Sequence, residues 1–145
     1  MGNRINIHVT KNSFHKDSVR ADFVARFVLN VLKNNNKTVD IFLLSQKDIQ
    51  NINREWHKKD VPTNVLSFAH CDIVGNFPKE FCDKNSLGEI YISPYFVRIH
   101  KQSFDHMVVH GILHLLGYDH VTKRDAERME TIEQEVLHLL NIVKK

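Results

Sequence analysis

The sequence predicts one domain of mixed helix and strand, α/β or α+β in class, with a single sheet covered by helices. Three observations point there. At 145 residues the chain is the size of one ordinary domain, in which roughly 70% of the unfolded surface is buried on folding. Hydrophobic residues make up 42% and charged residues 26%, which fits a globular protein and neither a disordered nor a fibrous one. Apolar spacing switches along the chain between a period of two and one of about 3.6 residues, which marks four strands and about five helices. The pattern leaves the strand order open. No repeat, low-complexity tract or linker divides residues 1–145, so one domain is expected to span them.

The elements follow in order. Ile5, Ile7 and Val9 alternate with Asn6 and His8, the pattern of a half-buried strand. From Ser13 the period lengthens, and Val19, Phe23, Phe27 and Val31, with Val24, Val28 and Leu32 beside them, mark an amphipathic helix ending before Asn34-Asn35-Asn36. Thr38 to Leu44 is β-branched and apolar and predicts a second strand. Ser45 with Asp48 resembles a capping box, and Ile49, Ile52 and Trp56 continue at helical spacing. Phe23, Phe27 and Trp56 are expected to pack in the core. Residues 57–64 form a polar loop, and Val65 to Ala69 predicts a third strand. Cys71 to Ser86, with Gly75 and Pro78, reads as an irregular excursion. Leu87 to Ser93 predicts the fourth strand. Ser93-Pro94 is a helix start, and the helix should run to Leu116 with an interruption near Ser103 and a stop at Gly117. Thr122 with Asp125 caps the last helix, whose apolar stripe is Met129, Ile132, Val136 and Leu140.

Composition narrows the function. No apolar run approaches the ~18 residues of a membrane span, and the N-terminal residues lack the apolar core of a signal peptide. A cytoplasmic location without membrane contact is therefore expected. Cys71 and Cys82 are the two cysteines, too few and too far apart for a disulfide framework or a zinc knuckle, and are expected to be free thiols in a reducing compartment. A net charge of +3 and a pI near 8.9 permit an anionic partner without requiring one. Ten histidines are the compositional oddity.

Three of them are patterned. His110, His114 and His120 stand at i, i+4 and i+10, with Gly117 at i+7. Residues four apart share a helix face, with Cβ atoms about 5–6 Å apart, so two imidazoles can converge on one metal. Gly117 can end the helix and turn the chain back, which delivers His120 from outside it. Independent placement of the chain's histidines and glycines would give this pattern ~0.002 times. Three histidines leave a fourth tetrahedral position for water, the arrangement of catalytic rather than structural zinc. Such a metal polarises phosphoryl or carbonyl oxygens, and its neutral ligands should lose it in acid.

The spacing is that of the metzincin metallopeptidases, whose general base is a glutamate directly after the first histidine. Here that residue is Gly111, which leaves a peptidase without a central part of its mechanism.

The runs Asp60-Val-Pro-Thr-Asn-Val-Leu-Ser-Phe68, Leu87-Gly-Glu-Ile-Tyr-Ile-Ser93 and His106-Met-Val-Val-His110-Gly-Ile-Leu-His114-Leu-Leu-Gly-Tyr-Asp-His120 resemble the bacterial YbeY family of metal-dependent endoribonucleases. They cover about half the chain, in the family's order. The resemblance implies an α+β fold with a four-stranded mixed sheet and the metal site at the end of a central helix. It implies a zinc-dependent, single-strand-specific endoribonuclease acting in ribosomal RNA maturation, including the 3′ end of small-subunit 16S RNA, and in ribosome quality control. The expected partners are single-stranded or ribosomal RNA and the ribosome or its small subunit. The family's zinc ligands map onto His110, His114 and His120. One zinc per chain is expected, although imidazole sites also accept nickel and copper. The rival readings are a metzincin-like metallopeptidase and a non-catalytic ribosome-assembly factor with a structural zinc.

The chain departs from the family pattern at two positions. His57 stands where the family usually has arginine, and Ala69 where proline often follows Ser-Phe. Arginine is always charged and binds phosphate through two parallel hydrogen bonds, whereas a histidine titrates near neutrality. His57 is the catalytic candidate outside the metal set, as a substrate-binding cation or an acid/base group. Lys58 and Lys59 are candidates for phosphate contact. Asp119 could orient a ligand histidine or form a turn. Tyr118 could stack on a base, although core packing suits its ring. His106 shares the face of His110 and reads as a boundary residue. His8, His15, His70, His100 and His138 have no partner pattern.

Overall fold

A computed structural model describes residues 2–70 and 85–144. Strand β1 (Arg4–Val9) leads through one 3-10 turn (Asn12–Phe14) into helix α1 (His15–Val31), then β2 (Thr38–Leu43), α2 (Gln46–His57), β3 (Val65–Ala69), β4 (Ser86–Ile92), α3 (Pro94–Ile99), α4 (Phe104–Leu115) and α5 (Lys123–Lys144). Cys71, Cys82 and the expected excursion as far as residue 84 lie outside the described residues, and Ser86, expected to end that excursion, instead begins β4.

The strands lie in the order β1-β2-β4-β3. β1, β2 and β4 run parallel, and β3 pairs antiparallel with β4 at the edge. This is the four-stranded mixed sheet of an α+β domain. Registers such as Ile5 opposite Val39 and Ile41 opposite Ile90 put apolar side chains on one face. Val39, Ile41, Leu43, Ile90 and Ile92 have no exposed area and share one core with residues of α1, α4 and α5. On the other face Phe42 stacks on Tyr91, ring centroids 4.7 Å apart, beside a smaller cluster of Leu44, Ile49 and Leu66 under α2.

Helix α1 faces inward differently from its sequence-based stripe. Ala21, Val24, Ala25, Val28 and Leu29 are fully buried. Val19 and Phe23 are 60% and 41% exposed, and Phe27 and Val31 are only partly buried. Two apolar stripes lie side by side on this helix, and the one rich in alanine allows the closer approach to the core. The outer stripe still finds local partners: Phe23 meets Phe27 at 6.3 Å, and the Arg20 guanidinium sits 5.3 Å from the Phe23 ring. Trp56 also differs from expectation. It is 61% exposed: among the described residues β3 is the edge strand of the sheet, and the indole has only Phe68 of that strand as its aromatic partner.

The caps read from sequence hold. Ser45, Ser93 and Thr122 accept hydrogen bonds from the backbone N–H of Asp48, Phe96 and Asp125, at 3.2, 3.4 and 3.0 Å. The helical stretch after Ser93 breaks where expected: Lys101 takes a left-handed φ of 54° and Ser103 caps α4 by accepting from His106 N–H at 3.2 Å. Asp105, in the first turn of α4, receives two parallel hydrogen bonds from Arg20 at 2.9 and 2.7 Å, which fixes α4 against α1. On the sheet side, a Cβ at the buried Gly111 would come within 3.0 Å of the Ile90 side chain. Glycine at this position therefore sets how closely α4 lies on β4.

Candidate metal centre

His110 and His114 occupy the last two turns of α4. The helix ends with Gly117 at φ 100°, Gly117 N–H donating to His114 C=O at 3.1 Å and Tyr118 N–H to Leu113 C=O at 3.0 Å. These two bonds make a Schellman ending, which only a residue tolerant of positive φ completes without strain. The chain turns back and His120 arrives beside the helix. Nitrogens of His110, His114 and His120 all lie within 4.8 Å of one another, and the Nε2 atoms of His110 and His114 are 3.0 Å apart. The ring centroids of His120 lie 5.8 Å from His110 and 5.0 Å from His114. His110 and His114 are half-buried and His120 is exposed.

The protonation chemistry suits coordination. Burial, then the neighbouring His110 and His120, push the His114 imidazole below its ordinary value, opposed by a backbone hydrogen bond at Tyr118 and by Glu133. It is therefore neutral, the state in which imidazole binds a metal. Three convergent imidazole donors on this scale fit a divalent ion of borderline softness.

One residue at the site was not singled out in the sequence. Glu133 of α5 is 7% exposed and reaches across to α4. Its Oε1 accepts from His110 Nδ1 at 3.4 Å, and its Oε2 is hydrogen-bonded to His106 Nε2. Burial pushes the Glu133 carboxyl up, but the hydrogen bonds from His106 and His110 outweigh it and hold the group down at about 2. The same bond raises His106 against the opposing effect of burial. A signal was present: Met129, Glu133, Val136 and Leu140 are the buried positions of α5, so a carboxylate interrupts an apolar stripe at helical spacing.

These groups open onto a cleft of about 1040 Å³ between α4, α5 and β3, lined among others by Ser67, His106, the three histidines and Glu133. His57 lines it as well, stacked on Phe68 with centroids 5.8 Å apart and planes at 14°. Tyr118 also lines it, with its ring packed against the core and the Arg128 guanidinium 5.7 Å away. Asp119 makes the turn, accepting from Val121 N–H at 3.2 Å. Lys58 and Lys59 are exposed beside the cleft and do not line it. Gly111 faces Ile90 of the sheet.

The fold and site thus define a class: a small α+β protein that gathers three metal-competent histidines at the end of a central helix, over an open cleft. Comparison with known proteins narrows it. The chain matches the family Endoribonuclease YbeY over residues 5–141. It is 36% identical to the endoribonuclease YbeY of Vesicomyosocius okutanii, covering 92% of this chain and 96% of that one. It is 38% identical to the protein of the same name from Paramagnetospirillum magneticum, covering 72% and 68%. A solution structure of a Thermotoga maritima protein shares the fold, with a TM-score of 0.54 and 24% identity over 96% of this chain and 91% of that one. The chain belongs to the YbeY family of endoribonucleases. Among the described residues no helix is long and apolar enough to cross a membrane.

Proposed function

We propose that the chain is a zinc-dependent endoribonuclease specific for single-stranded RNA, working in the cytoplasm on ribosomal RNA, including the 3′ end of 16S RNA, and in ribosome quality control. The observation that carries the reading is the three-histidine group at the floor of an open cleft in a chain that matches this family over nearly its whole length. His110, His114 and His120 would hold the metal, which when bound supplies Lewis acidity to a phosphoryl oxygen and makes water a better nucleophile. Zinc, one per chain, is the ion assigned to this site, which as an imidazole set also accepts nickel or copper in vitro.

The remaining steps belong to side chains. Glu133 accepts the Nδ1–H of His110, which leaves Nε2 unprotonated and turned toward the other two histidines. His57, which lines the same cleft, would meet the phosphate as a cation or pass a proton to the leaving oxygen. Either water or the ribose 2′-hydroxyl attacks phosphorus. Attack by the 2′-hydroxyl expels the 5′-oxygen, which takes up a proton, and leaves a 2′,3′-cyclic phosphate, whereas attack by water leaves a linear phosphate.

Two rival readings lose support. A metzincin-like peptidase needs a carboxylate at position 111, where this chain has Gly111, packed against Ile90 of the sheet. A structural zinc in an assembly factor favours four protein ligands in a closed site, whereas this group opens to a large cleft. The test is cleavage of matched single-stranded and duplex RNA with and without chelator, with analysis of the product ends. Cutting confined to single strands and abolished by chelator is expected. Cutting of duplex at equal rate would overturn the strand specificity, and release of peptides instead would restore the peptidase.

A further inference from the structure

Trp56 is the single tryptophan of the chain, and it is 61% exposed. Its indole leans on Phe68 with centroids 5.3 Å apart and planes at 51°. The next residue, His57, stacks on the same Phe68 ring and lines the cleft. Phe68 is thus a shared support, with a cleft residue on it and an open aromatic surface next to that residue. The backbone then turns at Lys58, whose φ of 59° ends α2. Lys58 and Lys59 are both exposed, and among the described residues neither has an ion-pair partner. Arg54 is engaged with Asp60 at 3.5 Å, and Asp60 is also bonded by Gln50 at 3.0 Å. Glu55 is the other acidic group of the segment and is exposed. The rim of the cleft therefore presents one large aromatic surface and two uncommitted ammonium groups.

We propose that Trp56, Lys58 and Lys59 form a subsite for an unpaired nucleotide next to the one being cut, its base stacked on the indole and its flanking phosphates met by the lysines. The proposal deepens the ribonuclease reading and rests on it. Every base has a π face, so a stacking contact of this kind tolerates sequence. In a duplex that face is covered by the neighbouring pair, so the subsite favours single strands. Lysines at flexible positions read charge rather than shape, which suits a backbone of variable path. The exposure of Trp56, costly for a side chain of its size, is what a ligand-facing ring requires.

The test uses metal-loaded full-length protein and stopped-flow mixing, so that binding is read before cutting. Because Trp56 is the one tryptophan, its fluorescence reports on this subsite alone, while the anisotropy of end-labelled RNA reports total binding. Rapid quenching by a single-stranded oligoribonucleotide, and little by the matched duplex, is expected. Trp56→Ala should weaken binding of labelled single-stranded RNA by about tenfold or more, and Trp56→Phe should recover most of it. Lys58→Ala with Lys59→Ala should lower the salt dependence of binding, each phosphate contact removing about 0.7 from the logarithmic slope. Binding of labelled RNA without any change in fluorescence would overturn the subsite. So would wild-type affinity in Trp56→Ala, which would leave the rim to a protein partner. Absence of RNA binding by both signals would instead overturn the ribonuclease reading beneath it.

Discussion

The floor and the rim of the cleft are built on opposite principles. At the floor, His106, His110, His114 and Glu133 sit half-buried or buried on two packed helices and bond to one another. At the rim, Trp56, His57, Lys58 and Lys59 are exposed, at the end of a short helix beside an edge strand. Polar groups taken out of water must be satisfied internally, so the floor is held in one arrangement by its own hydrogen bonds. The rim makes few internal bonds and is free to conform to one. A centre for a small ion needs the first design, and a surface for a long, variable polyanion needs the second.

Variants sharpen this contrast. The largest effect is expected from His114→Ala, which removes the most central donor: metal uptake and RNA cutting should be lost while a thermal melt shows a modest decrease. Unchanged metal content by elemental analysis would contradict the assignment. Next is Glu133→Gln, which keeps the shape of the side chain but weakens its hold on His110. Metal affinity by chelator competition should fall about 10–100-fold, and wild-type affinity would mean that Glu133 ties α5 to α4 without positioning the ligand. At the rim, His57→Arg should raise the rate of RNA cutting severalfold, because arginine is permanently charged and binds phosphate through two parallel hydrogen bonds. An unchanged rate would remove His57 from the chemistry.

The smallest effect concerns acid stability of the metal-free protein. The folded-state value of Glu133 lies below its ordinary 4.5, near 2. Its contribution is therefore complete above about pH 4.5 and is lost as pH falls toward 2. His106 is shifted up, so its part is complete below its unfolded value near 6.5 and is lost as pH rises through its raised one. Melts of wild type and Glu133→Gln should differ most between those limits and converge as pH falls toward 2. A gap that stays constant in acid would assign the difference to packing.

The two regions also differ in how far the sequence discloses them. The histidine spacing, the glycine stop, the caps at Ser45, Ser93 and Thr122 and the helix break near Ser103 are local features, set by helix geometry within a few residues, and they were legible. The four strands were legible as segments. Their order was not, because the parallel pairing of β2 with β4 joins residues some fifty positions apart and leaves no local trace. The stripe of α1 was misread because two apolar rows compete and only the sheet decides between them. Trp56 was misread because helical spacing says which residues share a face and not whether the sheet extends beneath that face. Glu133 left a trace, a charge within an apolar stripe, whose meaning depends on the histidines of a different helix. The three-histidine group could be found from the sequence, whereas Glu133 beside it and the exposed aromatic surface of Trp56 required the fold.

The most direct test of the account is made on one preparation of purified protein, measuring bound metal per chain and cutting of single-stranded RNA before chelation, after it, and after zinc is restored. The account predicts close to one zinc per chain, cutting that disappears with the metal, and recovery of both together. Metal-free protein that cuts single-stranded RNA at the same rate would contradict it.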